Sequence, residues 1–385
     1  MQLRYGINPH QHATVEPIET DRWPVRILNG SPSYINMLDA LNGWQLVQEA
    51  SRTLGRPAAA SFKHVSPAGA ALAGRIDEVI ADLYGVDGGN VESVTSAYLR
   101  ARDADPKCSY GDLAAVSTPV GVELSEILGR IVCDGIIAPG YAPGVVGALS
   151  RKQGGRFLVI EADEGFAPPA EEVRDVWGLR LTQQRDIAPI SSATFNDVVS
   201  SSRSTASTVD DLLLGLVVLR YTQSNSVCYV RDGSTLGIGA GQQSRIDCTR
   251  LAGSKVDTWW LRRHDLVRNL RFRRQVRRQD RINAQISVID GDRSATSSLR
   301  LTDLLAEPAP LFTDDERAAW LGKLGGVAFA SDGLLPFRDN IDEASRHGVA
   351  SIVEPGGSVR SAEVEDACRE HGIALARSGL RLFHH

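Results

Sequence analysis

The tail of the chain constrains the fold most. Val349–Val353 is a run of strand formers, Pro355-Gly-Gly-Ser358 reads as a loop, Ala362–His371 carries helical periodicity, and Ile373–Ala376 is a second apolar strand. Strand, helix and strand in that order require parallel strands with a helix crossing one face, so the chain builds a layered α/β fold. The rest alternates in the same way. Ser31–Gly55 has helical spacing, with Leu38, Leu41 and Val47 among its apolar positions, and Gly55 before Pro57 stops it. Ala58–Phe62 and Gly135–Ala138 read as buried strands, the first entering Lys63-His64 and the second the Pro139-Gly140 turn. Thr208–Tyr221 reads as a buried helix, opened by a capping box of Thr208 and Asp211. A chain of 385 residues, 42% of them apolar, calls for two cores rather than one. The boundary falls near residue 200, giving halves 1–200 and 201–385, and Ser200–Thr208 is either a linker or a well-capped turn. Residues 280–320 show no clear period.

Charge and cysteine usage narrow the function. The net charge is −5, without the basic excess of a protein built around nucleic acid. The longest apolar run, Leu212–Leu219, is far shorter than the roughly 20 residues of a membrane span. The opening residues, 1–6, lack a secretory pattern. Five cysteines are scattered, without a CxxC pair, which points to reduced thiols in a cytoplasm and against structural zinc. A soluble cytoplasmic protein is expected, with no membrane or nucleic-acid partner. Arg262–Arg281 is the exception in charge, holding nine arginines against two aspartates. It is either a polyanion-binding surface or a solvated helical face; with only Phe272 to stack on bases, the solvated face is expected.

Two motifs carry chemistry. Lys63-His64-Val-Ser-Pro-Ala-Gly69 follows a strand, where α/β sheets place their sites. A histidine that exchanges protons near neutrality beside a fixed lysine charge suits acid–base work; the plainer alternative is a solvated lysine and a hydrogen-bonded turn histidine. Gly237-Ile-Gly-Ala-Gly241 fails the GxGxxG template because Gln242 holds the third glycine position. Its glycines let the backbone pass close to a ligand or to a neighbouring strand. Asp339 has a plain reading as a cap for a helix starting near Ile341, and Arg381–His385 one as a frayed tail.

Taken in order, several stretches resemble the formyltransferase domain of the family that joins AICAR formyltransferase to IMP cyclohydrolase. They are Leu3-Arg-Tyr-Gly-Ile-Asn-Pro-His-Gln11, Ser61–Gly69, Asp134-Gly-Ile-Ile-Ala-Pro-Gly-Tyr141, Tyr221-Thr-Gln-Ser-Asn-Ser-Val-Cys-Tyr229, Gly237–Arg245, Pro336-Phe-Arg-Asp339 and Arg381-Leu-Phe-His-His385. The resemblance spans essentially the whole chain, and the preceding cyclohydrolase domain is expected to be missing. It implies two cytidine-deaminase-like α/β/α halves without a zinc site, because the HxE…PCxxC signature is absent. It also implies a homodimer with sites across the interface, and in some members a structural potassium ion near Thr222 and Ser224.

The implied reaction carries the formyl group of 10-formyltetrahydrofolate to the 5-amino group of AICAR. By position, His64 resembles the proton acceptor, with Lys63 and Asn225 stabilising the charge that develops. Arg4, Tyr5, Gly111, Asp134, Asn225, Arg245, Leu334 and Arg381 match nucleotide contacts, and Ile246, Asp339, Ser358 and Val359 match the folate pocket. Guanidinium groups suit a phosphate dianion because they donate two parallel hydrogen bonds. Leu334 and Leu335 stand where the family usually has two phenylalanines, which keeps an apolar wall and removes ring stacking. That departure motivates a second reading, formyl transfer to a different amino-nucleotide.

Overall fold

The computed structural model describes residues 1–19, 22–195, 197–198, 206–292 and 294–385. Its first half runs β1 (Val25–Asn29), α1 (Tyr34–Leu54), β2 (Ala58–Lys63), β3 (Ser66–Leu72), α2 (Glu78–Tyr84), α3 (Ser93–Ala104), β4 (Asp112–Val116), α4 (Val122–Arg130), β5 (Cys133–Ala138), α5 (Val145–Leu149) and β6 (Leu158–Ala162). A separate hairpin follows, β7 (Glu171–Val176) and β8 (Leu179–Gln184), and then β9 (Asp197–Val198). The second half runs α6 (Ala206–Arg220), β10 (Val227–Arg231), β11 (Ser234–Gly239), α7 (Arg245–Leu261), α8 (Asp265–Arg268), α9 (Arg278–Asp290), α10 (Ala295–Leu304), α11 (Asp314–Leu321), β12 (Val327–Ser331), α12 (Asp339–Ser345), β13 (Val349–Glu354), α13 (Ser361–His371) and β14 (Ala374–Arg377).

Twelve strands make one sheet, in the order β1-β6-β5-β4-β2-β3-β11-β10-β12-β13-β14-β9. From the centre outward each half repeats one pattern: an antiparallel hairpin, a strand antiparallel to it, then two strands added in parallel. The halves join where β11 lies against β3, with Ser234 opposite Ala71 and the Leu72 amide donating 2.8 Å to Gly233 O. The expected boundary near 200 lies outside the described residues, as do residues 200–205 of the Ser200–Thr208 stretch, whose last three residues open α6.

Helices cover both faces, which is why β4 and β12 are buried along their whole length rather than on alternate residues. α1 and α6 share one face and a core through Leu46, Val47, Leu214 and Val217. On the opposite face, Leu99, Leu124 and Ile137's neighbour Ile136 pack under the first half, and Val256, Phe329 and Ile341 under the second. The Leu212–Leu219 run is buried because α6 lies inside this shared core.

Four expectations need correction. The helix expected from Thr208 begins at Ala206, so Thr208 lies inside its first turn, and the Asp211 carboxylate accepts from the Asp232 and Gly233 amides. Residues 280–320 are largely helical; their helices are short and start on local caps, Ser294 for α10 and a Thr313/Glu316 capping box for α11. Arg262–Arg281 is not one solvated face. Arg262 is buried in an ion pair with Asp103 at 2.7 Å, Arg263 reaches Asp77 and Asp103 at 2.7 Å each, and Arg268 reaches Glu78 at 2.6 Å. Finally, Gly237 and Gly239 admit a helix: a Cβ on either would collide with the Ala252 or Cys248 carbonyl of α7.

Candidate active site

The β2–β3 hairpin closes in two residues, His64 and Val65, with φ of 55° and 63°. This turn leaves the His64 imidazole exposed and directs the half-buried Lys63 toward β4 and β5. Lys63 Nζ donates to the Tyr110 carbonyl. A Cβ on Gly111, whose φ is +75°, would stand 3.9 Å from both Lys63 Nζ and Asp134 Oδ1, so these three residues are immediate neighbours. Partial burial and the charge of Asp112 push the Asp134 carboxyl above its usual range, while Lys63, Lys152 and Arg4 pull it back. Arg4 is therefore part of the same electrostatic group. Its guanidinium donates 2.9 Å to Tyr5 Oη and lies over that ring, 4.7 Å from its centre. The structure thus brings Arg4, Tyr5, Lys63, Gly111 and Asp134 together beside the His64 turn.

A second group surrounds a cavity of about 620 Å³ lined by Asn225, Gln243, Arg245, Leu334, Pro336, Pro355, Gly356, Gly379, Arg381 and Phe383. Arg245, the first residue of α7, is buried here. Its Nη1 pairs with buried Asp332 and donates 3.0 Å to Ser226 O, and its Nη2 donates 2.8 Å to Asn225 Oδ1. The guanidinium expected at the nucleotide is thus anchored by the protein while it lines the cavity, and it orients the Asn225 amide, whose nitrogen donates 3.1 Å to Gln243 O. The exposed Arg381 lies over Phe383. Its segment is not frayed: Leu382 N donates 2.8 Å to Asp332 O, and Ser224 N donates 3.0 Å to His384 O. The two groups communicate where Gln223 N donates 3.4 Å to Ser66 Oγ, next to the His64 turn.

The residues expected for folate are not among those that line this cavity. Ile246 follows Arg245, and Asp339 opens α12 just beyond Pro336. Asp339 makes no side-chain cap; its Oδ1 accepts 2.8 Å from Asn340 Nδ2. Ser358 is half-buried, and Val359 is fully exposed. Among the described residues no group of three or more His, Cys, Asp or Glu side chains is placed to hold a metal. No helix of the described residues is long and apolar enough to cross a membrane.

Sequence reasoning missed Asp39 and Asp332. Asp332 follows the apolar strand Val327–Ser331, a position from which side chains reach sites, and this was an available signal. Asp39 interrupts the apolar face of α1 among Met37, Ala40 and Gly43.

An open-edged basic and acidic group at the strand ends of a doubled α/β sheet defines an enzyme-like site, and comparison with known proteins makes the assignment specific. Residues 1–255 match the family model described as the AICARFT/IMPCHase bienzyme, and the chain belongs to that family of enzymes. It is similar to the bifunctional purine biosynthesis proteins PurH of Magnetococcus marinus (30% identical over 390 residues) and Aquifex aeolicus (30% over 388), covering all of this chain and 59% of each relative. The PurH of Roseobacter denitrificans is 29% identical over 388 residues, with the same coverage. The chain spans 59% of the length of these relatives.

Proposed function

We propose that this chain is a cytoplasmic AICAR formyltransferase, moving the formyl group of 10-formyltetrahydrofolate to the 5-amino group of AICAR without closing the purine ring. We assign its halves to the cytidine-deaminase-like kind. The observation that carries the reading is the Lys63-His64 turn beside Asp134, Gly111 and Arg4, in a chain of this family.

The amine of AICAR is conjugated with its carboxamide and is a weak nucleophile. In this reading its nitrogen bonds to the formyl carbon while His64 takes the departing proton, a role worth typically ~10²–10⁴-fold. Negative charge gathers on the formyl oxygen, where Lys63 and the Asn225 amide donate. The bond from the formyl carbon to N10 then breaks, N10 takes up a proton, and formyl-AICAR and tetrahydrofolate leave. Arg4 and Arg381, both exposed, are the cations assigned to the nucleotide phosphate, and Arg245 serves by fixing Asn225. Asp339 Oδ2 is assigned to the amidine-like edge of the pterin, with Ile246, Ser358 and Val359 around it.

Two exposed surfaces support a homodimer. Val359 stands fully in solvent in the single chain, and the β7–β8 hairpin exposes Val173, Val176, Trp177, Leu179 and Leu181. An isolated two-stranded hairpin is marginal in water, so a second copy is assigned to cover it. A potassium ion fits less well. Thr222 Oγ1 donates 2.7 Å to Val218 O and Ser224 Oγ donates to Asp332, and two hydroxyls do not make the oxygen cage a hard cation takes.

The test is spectrophotometric release of tetrahydrofolate, with AICAR and with no acceptor, followed by separation of the products. AICAR-dependent release with formyl-AICAR as product supports the reading; its absence overturns it, and inosine monophosphate from the pure chain overturns the part that excludes ring closure. Leu334, 40% exposed at the cavity wall, favours testing a second reading in which another amino-nucleotide is the acceptor. Faster turnover with a related aminoimidazole nucleotide would select it.

A further inference from the structure

The two hairpins at the centre of the sheet are each closed by a two-residue turn, and in each a buried helix carboxylate grips that turn. In the second half Asp211 of α6, 3% exposed, accepts from the Gly233 amide at 2.6 Å and the Asp232 amide at 2.9 Å. In the first half Asp39 of α1, 7% exposed, accepts from the Val65 amide at 2.6 Å. All four turn residues are left-handed: φ is 53° and 72° at Asp232 and Gly233, and 55° and 63° at His64 and Val65. A hairpin turn of this hand needs positive φ at both central positions, and Asp-Gly is among the pairs that adopt it most readily. His-Val is not. A β-branched residue at positive φ is an outlier, held only where its surroundings over-determine it.

We propose that Asp39 is a positioning residue for the reaction: by binding the Val65 amide it holds the left-handed turn that aims the His64 imidazole. The proposal rests on His64 being the proton acceptor. A carboxylate on the apolar face of α1 requires hydrogen bonds to be tolerated there, and Asp39 takes part in no ion pair among the described residues. The turn is what it binds. The groups that act on it are the Val65 and His64 amides, the His64 ring and Asp134. Burial pushes its carboxyl up to about 6, against the lowering by these amides and by His64. At neutral pH it is the anion, the stronger acceptor.

The test pairs kinetics with amide hydrogen exchange of residues 64–66 read by mass spectrometry, which needs no substrate. Asp39→Ala is expected to lower kcat about tenfold or more with KM for AICAR changed less than about twofold, since the interaction acts on the transition state. Exchange at 64–66 is expected to accelerate at least about tenfold. Asp39→Asn, which keeps a carbonyl acceptor, should retain most of both. Val65→Gly removes the backbone penalty, so adding it to Asp39→Ala should bring kcat back toward that of Val65→Gly alone. Asp211→Ala is the control: exchange accelerates at 232–234 and kcat stays within about twofold. Unchanged exchange at 64–66 in a folded Asp39→Ala protein overturns the proposal, as does kcat within twofold of the parent. Should Asp39→Ala fail to fold, Asp39→Glu replaces it, displacing the oxygen while keeping the charge, and the same two outcomes decide. If the chain formylates nothing, the assay fails in every variant while exchange still reports whether Asp39 holds the turn.

Discussion

The first half and the second half of the sheet are built alike at their hairpins and differ in what the hairpins carry. In β2–β3 the register slips between Ser61 and Phe62, and the strand returns through Gly69; in β10–β11 it slips between Tyr229 and Val230, and the strand returns through Gly237. Each glycine lets a helix, α3 or α7, press its backbone against the strand. Each turn is gripped by a helix carboxylate. Against this shared frame, one turn is Asp232-Gly233, chemically suited to its conformation, and the other is His64-Val65, which is not. Features common to both halves belong to the architecture. Strain present in one half alone marks the half where a side chain is being aimed.

The largest effect tests that division directly. His64→Ala is expected to lower kcat by at least ~10²-fold with AICAR affinity little changed, because removing the proton belongs to the transition state. Asp232→Ala, at the equivalent turn position, should leave kcat within about twofold. Steady-state kinetics on the two variants separates them. Equal losses would abolish the functional difference between the halves.

The shared carboxylates give the next effect, in stability. Burial raises Asp39 and Asp211 from 3.8 to about 6 in the fold, over the lowering from the amides they bind. A carboxyl raised on folding contributes stability that is fully present below about pH 4 and is lost as pH rises through about 6. Each shift corresponds to up to about 3 kcal/mol. Asn cannot ionise, so Asp39→Asn and Asp211→Asn should each gain stability relative to the parent between pH 4 and pH 7. Urea unfolding at the two pH values measures this. A difference that does not change with pH would show that these carboxyls are not raised in the fold.

The repeated glycines sharpen the comparison further. Gly69→Ala collides with the Ala101 carbonyl of α3, and Gly237→Ala with the Ala252 carbonyl of α7. Overpacking of this kind costs about 1–3 kcal/mol. Thermal unfolding of both variants should show similar losses. A large loss in one and none in the other would mean that only one helix is held tightly.

What the sequence made legible follows from how local each signal is. The β13–α13–β14 tail was readable because its helix and strands change periodicity within a few residues and are punctuated by glycine and proline. Helices α9–α11 were not, because their few apolar residues serve small side clusters around Val288, Leu301 and Ile289 rather than a broad face. At the site, Lys63-His64 was visible as a motif after a strand. Asp39 was not visible, because its partner lies 26 residues away at Val65; Asp332 stood at a strand end, but its partner Arg245 lies 87 residues away. The same separation hid the fact that Arg245 is engaged by a carboxylate and holds Asn225.

The smallest effect concerns the cavity wall, which only the second half supplies. Leu334 lines it, half in solvent, whereas its neighbour Leu335 is fully buried in the core. The pair therefore divides its work: Leu335 packs the half together and Leu334 is available to a ligand. Replacing Leu334 by Phe adds a flat ring at an exposed position without disturbing the core, and aromatic stacking contributes roughly 0.5–1.5 kcal/mol beyond area burial. AICAR affinity should rise, by about tenfold at most, since about 1.4 kcal/mol is one decade. Leu335→Phe enlarges a filled site and should lower thermal stability instead, by about 1–3 kcal/mol. Calorimetric titration with AICAR and thermal melts of both variants measure the two effects. Weaker AICAR binding in Leu334→Phe would mean that the wall is shaped for leucine, and the acceptor would then be sought among amino-nucleotides that fill the space a phenyl ring takes.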